Sequence, residues 1–389
     1  MISKVLKYGA IFAALASTIL GLLLYTTIPR QLGLYTFLAS RIDIWVGLTP
    51  AFVEGMEWGY TWKEFYSDAT YNQLKGQSAI VTGANSGIGF ELAKALAKNG
   101  VHVTITCRTT QKCDKAKQEI DDTPSDKPKG KITTLLLDTS SFQSVRKFCQ
   151  DYVNTIANGK PIDMLFFNAG ANVGTPQDGT SKKCMKTTED GLPELFQINY
   201  LSHHLLYQLL QPFLASNARV VSTSSASSYD TYRYKVATDL DTLHNCSQPF
   251  IDPSSGANLA YGESKLAQIM WSMALQRKLH GHADLGNVSF NAFHPGLVDT
   301  GNANKLFEQT DVSEIIITLF QNHVLPNAWK SPEGALTGLY LATHGNIKGK
   351  YYHPQSQEVT NPLALDVELQ DKLWDFSMEL VQAYMDPLW

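Results

Sequence analysis

The stretch SAIVTGANSGIGFELAKALAKNG, residues 78–100, sets the apolar run Ser-Ala-Ile-Val before a cluster of glycines and the helical pattern FELAKALAKNG after it. This reads as strand, glycine turn, helix. Gly83, Gly87 and Gly89 would let the backbone turn tightly and approach a pyrophosphate resting on the amide-rich, positive N-terminus of the helix. The spacing is G-x-x-x-G-x-G rather than the commoner G-x-G-x-x-G, and a glycine-rich surface turn is the plain alternative. The order of strand and helix around the glycines favours the nucleotide.

From Ser78 onward, short apolar runs alternate with helical patterns. Runs at Ser78–Thr82, Val101–Thr106, Ile132–Leu137, Asp163–Phe167, Arg219–Ser222, Val288–Phe293 and Gly349–Tyr352 read as seven strands. The alternation predicts a doubly wound α/β fold of Rossmann type, with an open, mostly parallel sheet, helices on both faces and a ligand crevice at the carboxyl ends of the strands. The glycine turn follows the first strand. Asn168 to Gly170 follow the fourth, and the serine cluster STSSASS follows the fifth.

Within AYGESKLAQIM, Tyr261 and Lys265 stand four residues apart, on one face of a helix and one turn from each other. A lysine charge beside a phenol is expected to favour the phenolate and bring the hydroxyl closer to neutrality, where it can act as general acid or base at a carbonyl. By itself such a pair is more often two solvated side chains. Its weight here comes from the glycine turn and the strand order.

Length alone leaves 389 residues divisible into one large α/β domain or two ordinary ones. A hydrophobic fraction of 44% and a charged fraction of 17% are those of a globular protein, and a formal charge of −4 without a basic stripe gives no electrostatic reason to expect nucleic acid. Cys107, Cys113, Cys149, Cys184 and Cys246 lack C-x-x-C spacing. Neither a metal site nor a disulfide framework is expected, and free thiols in a reducing compartment are the reading.

Tyr8 to Ile28 carry no charge and are long enough to cross a hydrocarbon core as a helix. Small residues that could mark cleavage, Ala14 and Ala16, lie in mid-run, which favours an uncleaved single-pass anchor over a signal peptide. Lys4 and Lys7 argue for one orientation and Arg30 and Arg41 for the other, so the membrane face stays open. The aromatic-rich segment 31–75 suits either a membrane interface or a linker packed on the following domain.

With these residues in place, the chain from about Lys75 to Gln382 resembles the short-chain dehydrogenase/reductase family, in the branch of the retinol dehydrogenases and the WW-domain oxidoreductase. The resemblance rests on TGANSGIG, Cys107–Arg108, LLLDTSS, FNAG, FQINYLSHHLL, VVSTSSAS, YGESK, HPGLVDT and SPEGA, in this order. It implies Tyr261 as proton donor, Lys265 as the cation that tunes it and binds the nicotinamide ribose, Ser225 ahead of Ser224 as hydrogen-bond donor to the carbonyl, and Asn199 as holder of a water that relays protons with the lysine. It further implies a dinucleotide held by Gly83, Asn85, Ser86, Gly87, Ile88, Gly89, Arg108, Asp138, Asn168, Ala169, Gly170, Tyr261, Lys265, Pro295, Gly296, Val298 and Thr300, with no metal. Cys107 and Arg108 stand where an acidic residue would select a free ribose hydroxyl; a guanidinium there can pair with a 2′-phosphate, so NADP(H) is favoured over NAD(H).

Two departures stand out. Phe167 replaces the first of the family's usual two asparagines, and Ser225 and Tyr261 are further apart than in most relatives, the extra length lying in residues 231–256 beside the expected substrate pocket. The expected layout is an anchor over 1–30, an interfacial linker over 31–75, a dinucleotide-binding catalytic domain over 76–357 and a C-terminal helical segment over 358–389 packing on it. An apolar lid candidate at Val312 to Pro326 and the anchor together suggest a lipophilic alcohol/carbonyl pair, such as a retinoid, a sterol or a long-chain aldehyde, met at the endoplasmic reticulum or another lipid-associated membrane. A homodimer is left open. The competing readings are a catalytically idle NADP(H)-binding redox sensor or scaffold, disfavoured by intact Asn199, Ser225, Tyr261 and Lys265, and a nucleotide-sugar epimerase or dehydratase, disfavoured by the glycine spacing.

Overall fold

The structure, a computed structural model, describes residues 60–157, 159–172, 174–177, 184–233, 236–246, 258–296, 298, 318, 329–352 and 360–387. The anchor over 1–30, most of the linker, Thr300 and all of the lid candidate but Thr318 lie outside them. Among the described residues no helix is long and apolar enough to cross a membrane.

Seven strands form one sheet: β1 (Ser78–Val81), β2 (His102–Cys107), β3 (Ile132–Leu136), β4 (Ile162–Phe167), β5 (Leu214–Thr223), β6 (Ser289–Phe293) and β7 (Tyr351–Tyr352). Their order is β3-β2-β1-β4-β5-β6-β7, and every neighbouring pair is parallel. The expectation of a mostly parallel sheet is thus met without an antiparallel edge. The chain builds outward from β1 to β3, then crosses back to lay β4 on the other side of β1. That reversal opens the crevice between the ends of β1 and β4.

Both faces of the sheet are covered, so side chains of alternate residues enter two separate cores. Ile80, Leu165, Phe167 and Val220 point into one, with α3 (Phe142–Tyr152), α4 (Ser202–Leu210) and α5 (Leu259–Lys278). Ala79, Val81, Met164, Phe166 and Val221 point into the other, with α1 (Gly87–Lys98), α2 (Thr110–Asp122) and α6 (Ser331–Thr343). The Leu92, Ala95 and Leu96 face of α1 is wholly buried, the alanines letting the helix lie close to the sheet. Tyr60, Phe65 and Leu74, ahead of β1, join the second core, while α7 (Val367–Val381) packs Leu373 and Val381 into the first.

The cysteines correct the sequence reading. Cys107, at the end of β2, is bonded to Cys113 in the first turns of α2 with Cα atoms 5.6 Å apart, and Cys184 is bonded to Cys246 at 5.0 Å. Cys149 remains a buried free thiol. Spacing rules missed both bridges: one closes across a strand-to-helix turn, and the other joins loops 62 residues apart that meet in space alone. The reading of free thiols in a reducing compartment therefore falls for four of the five cysteines.

Candidate active site

A cavity of about 830 Å³ lies along the carboxyl ends of the strands. On the β1 side its wall is made of backbone. Gly83 has φ +65°, and a Cβ there would stand 2.8 Å from Ala169 Cα, so no other residue both turns and passes so close. Gly87 also has positive φ, at +59°. Gly89 is behind the wall: its missing Cβ would fall 2.3 Å from Asn168 Nδ2 and 2.6 Å from the Gly83 carbonyl, so it serves the packing of α1 on the turn. Ser86 precedes α1 in extended conformation, and its side chain makes no capping hydrogen bond. The first amides of a twelve-residue helix thus face the cavity without a side-chain cap, as an anionic group would require.

Thr82 holds the two halves of the crevice together. Its hydroxyl oxygen accepts the backbone N–H groups of Asn168 and Ala169, both at 2.9 Å, while Asn168 Nδ2 donates to the Thr82 carbonyl at 3.1 Å. Phe167, the departure from the family pattern, turns away from the cavity and stacks on His203 at 4.8 Å. At the far end, Cys107, Arg108, Lys112 and Asp138 line the cavity. Asp138 Oδ1 accepts from the Ser140 amide and hydroxyl at 2.9 and 2.7 Å, which fixes the turn after β3.

The chemical groups come from β5 and α5. Asn258 caps α5 by accepting the Tyr261 N–H at 2.9 Å, so the tyrosine sits in the first turn of the helix and Lys265 one turn on, both facing the cavity. Ser225 also lines the cavity and hydrogen-bonds the Tyr261 side chain. Ser224 is spent elsewhere, its hydroxyl donating to the Lys265 carbonyl at 2.7 Å. Lys265 is 3% exposed, and its Nζ donates to the Thr223 carbonyl at 2.8 Å and to Gln268 Oε1 at 3.1 Å.

Burial overrides the charge argument made from the sequence. It raises the Tyr261 hydroxyl above the ordinary tyrosine value, with the Ser225 hydrogen bond pulling the other way, and it lowers Lys265 to about 7. The lysine, itself only partly charged near neutrality, does not acidify the phenol. Tyr261 is accordingly a group that keeps its proton until an acceptor arrives.

Asn199 differs in detail from its expected place. It is wholly buried, and its side chain is consumed by the Ala171 amide and carbonyl at 2.8 and 2.9 Å and by Ser264 Oγ at 2.8 Å. Its backbone carbonyl, in the π turn over Gln197–Leu201, accepts from Gln268 Nε2 at 2.7 Å. Among the described residues, every site residue named from the sequence apart from Gly89 and Asn199 borders the cavity. Sequence reasoning passed over Lys112, Thr139, Ser227, His294 and Gln268; of these, Lys112 was findable as a second cation four residues after Arg108, in the first turn of α2.

The fold and this geometry agree with what the chain is similar to. A family model described as short chain dehydrogenase matches residues 77–237. The chain is 33% identical to the short-chain dehydrogenase TIC 32 A, chloroplastic, of Brassica napus, over 84% of this chain and 95% of that one. It is 32% identical to the WW domain-containing oxidoreductase of Danio rerio, over 81% of this chain and 70% of the other, and 32% identical to retinol dehydrogenase 14 of Mus musculus, over 79% and 86%. The protein belongs to the short-chain dehydrogenase/reductase family, in the branch that holds these relatives. Its glycine wall and uncapped helix fit the nicotinamide dinucleotide that the family binds.

Proposed function

We propose that this protein is an NADP(H)-dependent oxidoreductase that interconverts a lipophilic alcohol and its aldehyde or ketone. The observation that carries the proposal is the meeting of Ser225, Tyr261 and Lys265 on one cavity with the glycine turn. When bound, the nicotinamide would supply or accept the hydride. The amides opening α1 and the backbone of Gly83 would hold the pyrophosphate, Asp138 the adenine end, and Arg108 with Lys112 a 2′-phosphate.

The chain's own residues handle the proton. A carbonyl oxygen placed against Ser225 and Tyr261 accepts two hydroxyl hydrogen bonds, and as negative charge grows on it the Tyr261 proton transfers to it. Burial keeps that proton on the phenol at neutral pH, which suits the reduction direction. In oxidation the same hydroxyl must first lose a proton, and Lys265, at about 7, is the group beside it that changes charge in the physiological range.

A lipophilic substrate is supported by the charge-free run Tyr8–Ile28, which would hold the cavity beside a bilayer. Purified protein lacking residues 1–30 should oxidise NADPH, followed at 340 nm, faster with long-chain or polyisoprenoid aldehydes than with short hydrophilic ones, and faster than it oxidises NADH. NADPH binding without turnover of any carbonyl would defeat the enzyme reading and favour the redox sensor.

A further inference from the structure

Between Lys265 and Asn199 the family resemblance places a water; in this chain a side chain occupies the link. Gln268 lies three residues after Lys265, on the same face of α5, and is 2% exposed. Its Oε1 accepts from Lys265 Nζ at 3.1 Å, and its Nε2 donates to the Asn199 carbonyl at 2.7 Å. The same carbonyl lies 3.0 Å from His203 Nδ1, and His203 Nε2 lies 3.0 Å from Thr82 Oγ1. A carbonyl can only accept, so Nδ1 carries the proton and Nε2 is left to accept from the Thr82 hydroxyl, whose one proton also has the Phe166 carbonyl within reach at 3.2 Å. Thr82 in turn receives the Asn168 and Ala169 amides. An unbroken chain of hydrogen bonds thus runs from the ammonium to the turn that shapes the dinucleotide wall.

We propose that Gln268 is a positioning residue for Lys265, its carboxamide bridging Nζ to the Asn199 carbonyl so that the lysine's direction is set by protein atoms. The inference rests on the oxidoreductase reading above for its consequence, though not for its geometry. A carboxamide suits the place because it accepts at one end and donates at the other. A carboxylate would oppose the Asn199 carbonyl and add a negative charge beside the lysine. A hydrocarbon would leave Nζ with the Thr223 carbonyl and the Asn199 carbonyl with His203. Among the described residues, the titratable groups facing Lys265 are Tyr261 on its own helix, with Nζ 5.6 Å from its ring centre, and, through the Asn199 carbonyl, His203 on α4. Desolvation is the cause of the lowered lysine, and a negative charge introduced at position 268 would act against it.

The test compares wild type, Gln268→Glu, Gln268→Leu and Gln268→Asn in the full chain. The titration of Lys265 is read by NMR of 13Cε-labelled lysine, assigned with Lys265→Arg, and NADPH-dependent turnover is measured from about pH 6 to about pH 10. Gln268→Glu should raise the Lys265 midpoint by about one pH unit or more and move the matching limb of the rate profile with it. Gln268→Leu should lower kcat about tenfold while the KM for NADPH changes less than about twofold, and Gln268→Asn should recover part of that loss. An unmoved Lys265 midpoint in Gln268→Glu, or wild-type kcat and pH profile in Gln268→Leu, would overturn the proposal. If Gln268→Leu does not fold, the midpoint in Gln268→Glu decides. Inactive wild type with a shifted midpoint in Gln268→Glu would sink the oxidoreductase reading and leave the bridge standing.

Discussion

The two banks of the crevice are built on different principles. On the β1 side the wall is made of glycine backbone, a helix end and absent side chains, and none of Gly83, Ser86 or Gly87 has a charge to tune. On the side of β5, α4 and α5 everything depends on side chains taken out of water: Lys265 is pushed down to about 7, the Tyr261 hydroxyl is pushed up, and His203 is held neutral with its value lowered to about 4 by burial. Holding a ligand asks for shape that does not change with pH, whereas proton transfer asks for groups whose charge can change.

The largest effect should follow from breaking the reactive bank. Tyr261→Phe keeps the ring and its packing but removes the proton; carbonyl reduction should fall by about 10²–10⁴-fold in steady-state assays, with NADPH affinity within about twofold of wild type. The opposite pattern is expected on the backbone bank. Gly83→Ala forces a Cβ to 2.8 Å from Ala169 at φ +65°, so it should cost about 1–3 kcal/mol in chemical denaturation and weaken NADPH binding at least tenfold by fluorescence titration.

How far each bank could be read from the sequence follows the same division. Backbone shape is written in residue type at fixed spacing, so Gly83, Gly87, Asn168 and all seven strands were legible, and so was the Tyr261–Lys265 pair at helical spacing. What those side chains meet was not. The Thr223 carbonyl, Gln268, the Asn199 carbonyl and His203 come from β5, α5, the π turn and α4, and their convergence depends on a π turn that no local pattern announces. For that reason the expected lowering of the Tyr261 hydroxyl is outweighed by its desolvation: spacing shows a neighbour, not the water that burial removes. The disulfides failed for a related reason, as pairing is a tertiary fact.

The reactive bank should also leave a mark on stability. Lys265 binds fewer protons folded than unfolded between about pH 7 and the ordinary lysine value near 10.4, so this group makes stability rise with pH across that window. Denaturation at about pH 7 and about pH 9 should show the rise in wild type and a flatter response in Lys265→Met. Glu263, raised to about 7 by burial, acts in the opposite sense and below that window, favouring the fold at low pH and losing its contribution as pH climbs from about 4.5 to about 7. The smallest effect is expected at the rim. Arg108→Asp, at the end of β2, should shift the ratio of kcat/KM for NADPH over NADH toward NADH by about tenfold without changing the rate at saturating coenzyme.

The claim on which both banks depend is that hydride passes in this crevice to a carbon whose oxygen takes the Tyr261 proton. Reduction of a lipophilic aldehyde with NADPH deuterated at the reactive ring carbon, followed by mass spectrometry of the alcohol, tests it directly. The expected result is one deuterium on the carbinol carbon with wild type and almost none, over the same time, with Tyr261→Phe. Coenzyme consumption that leaves the alcohol unlabelled, or equal labelling by the phenylalanine variant, would contradict it.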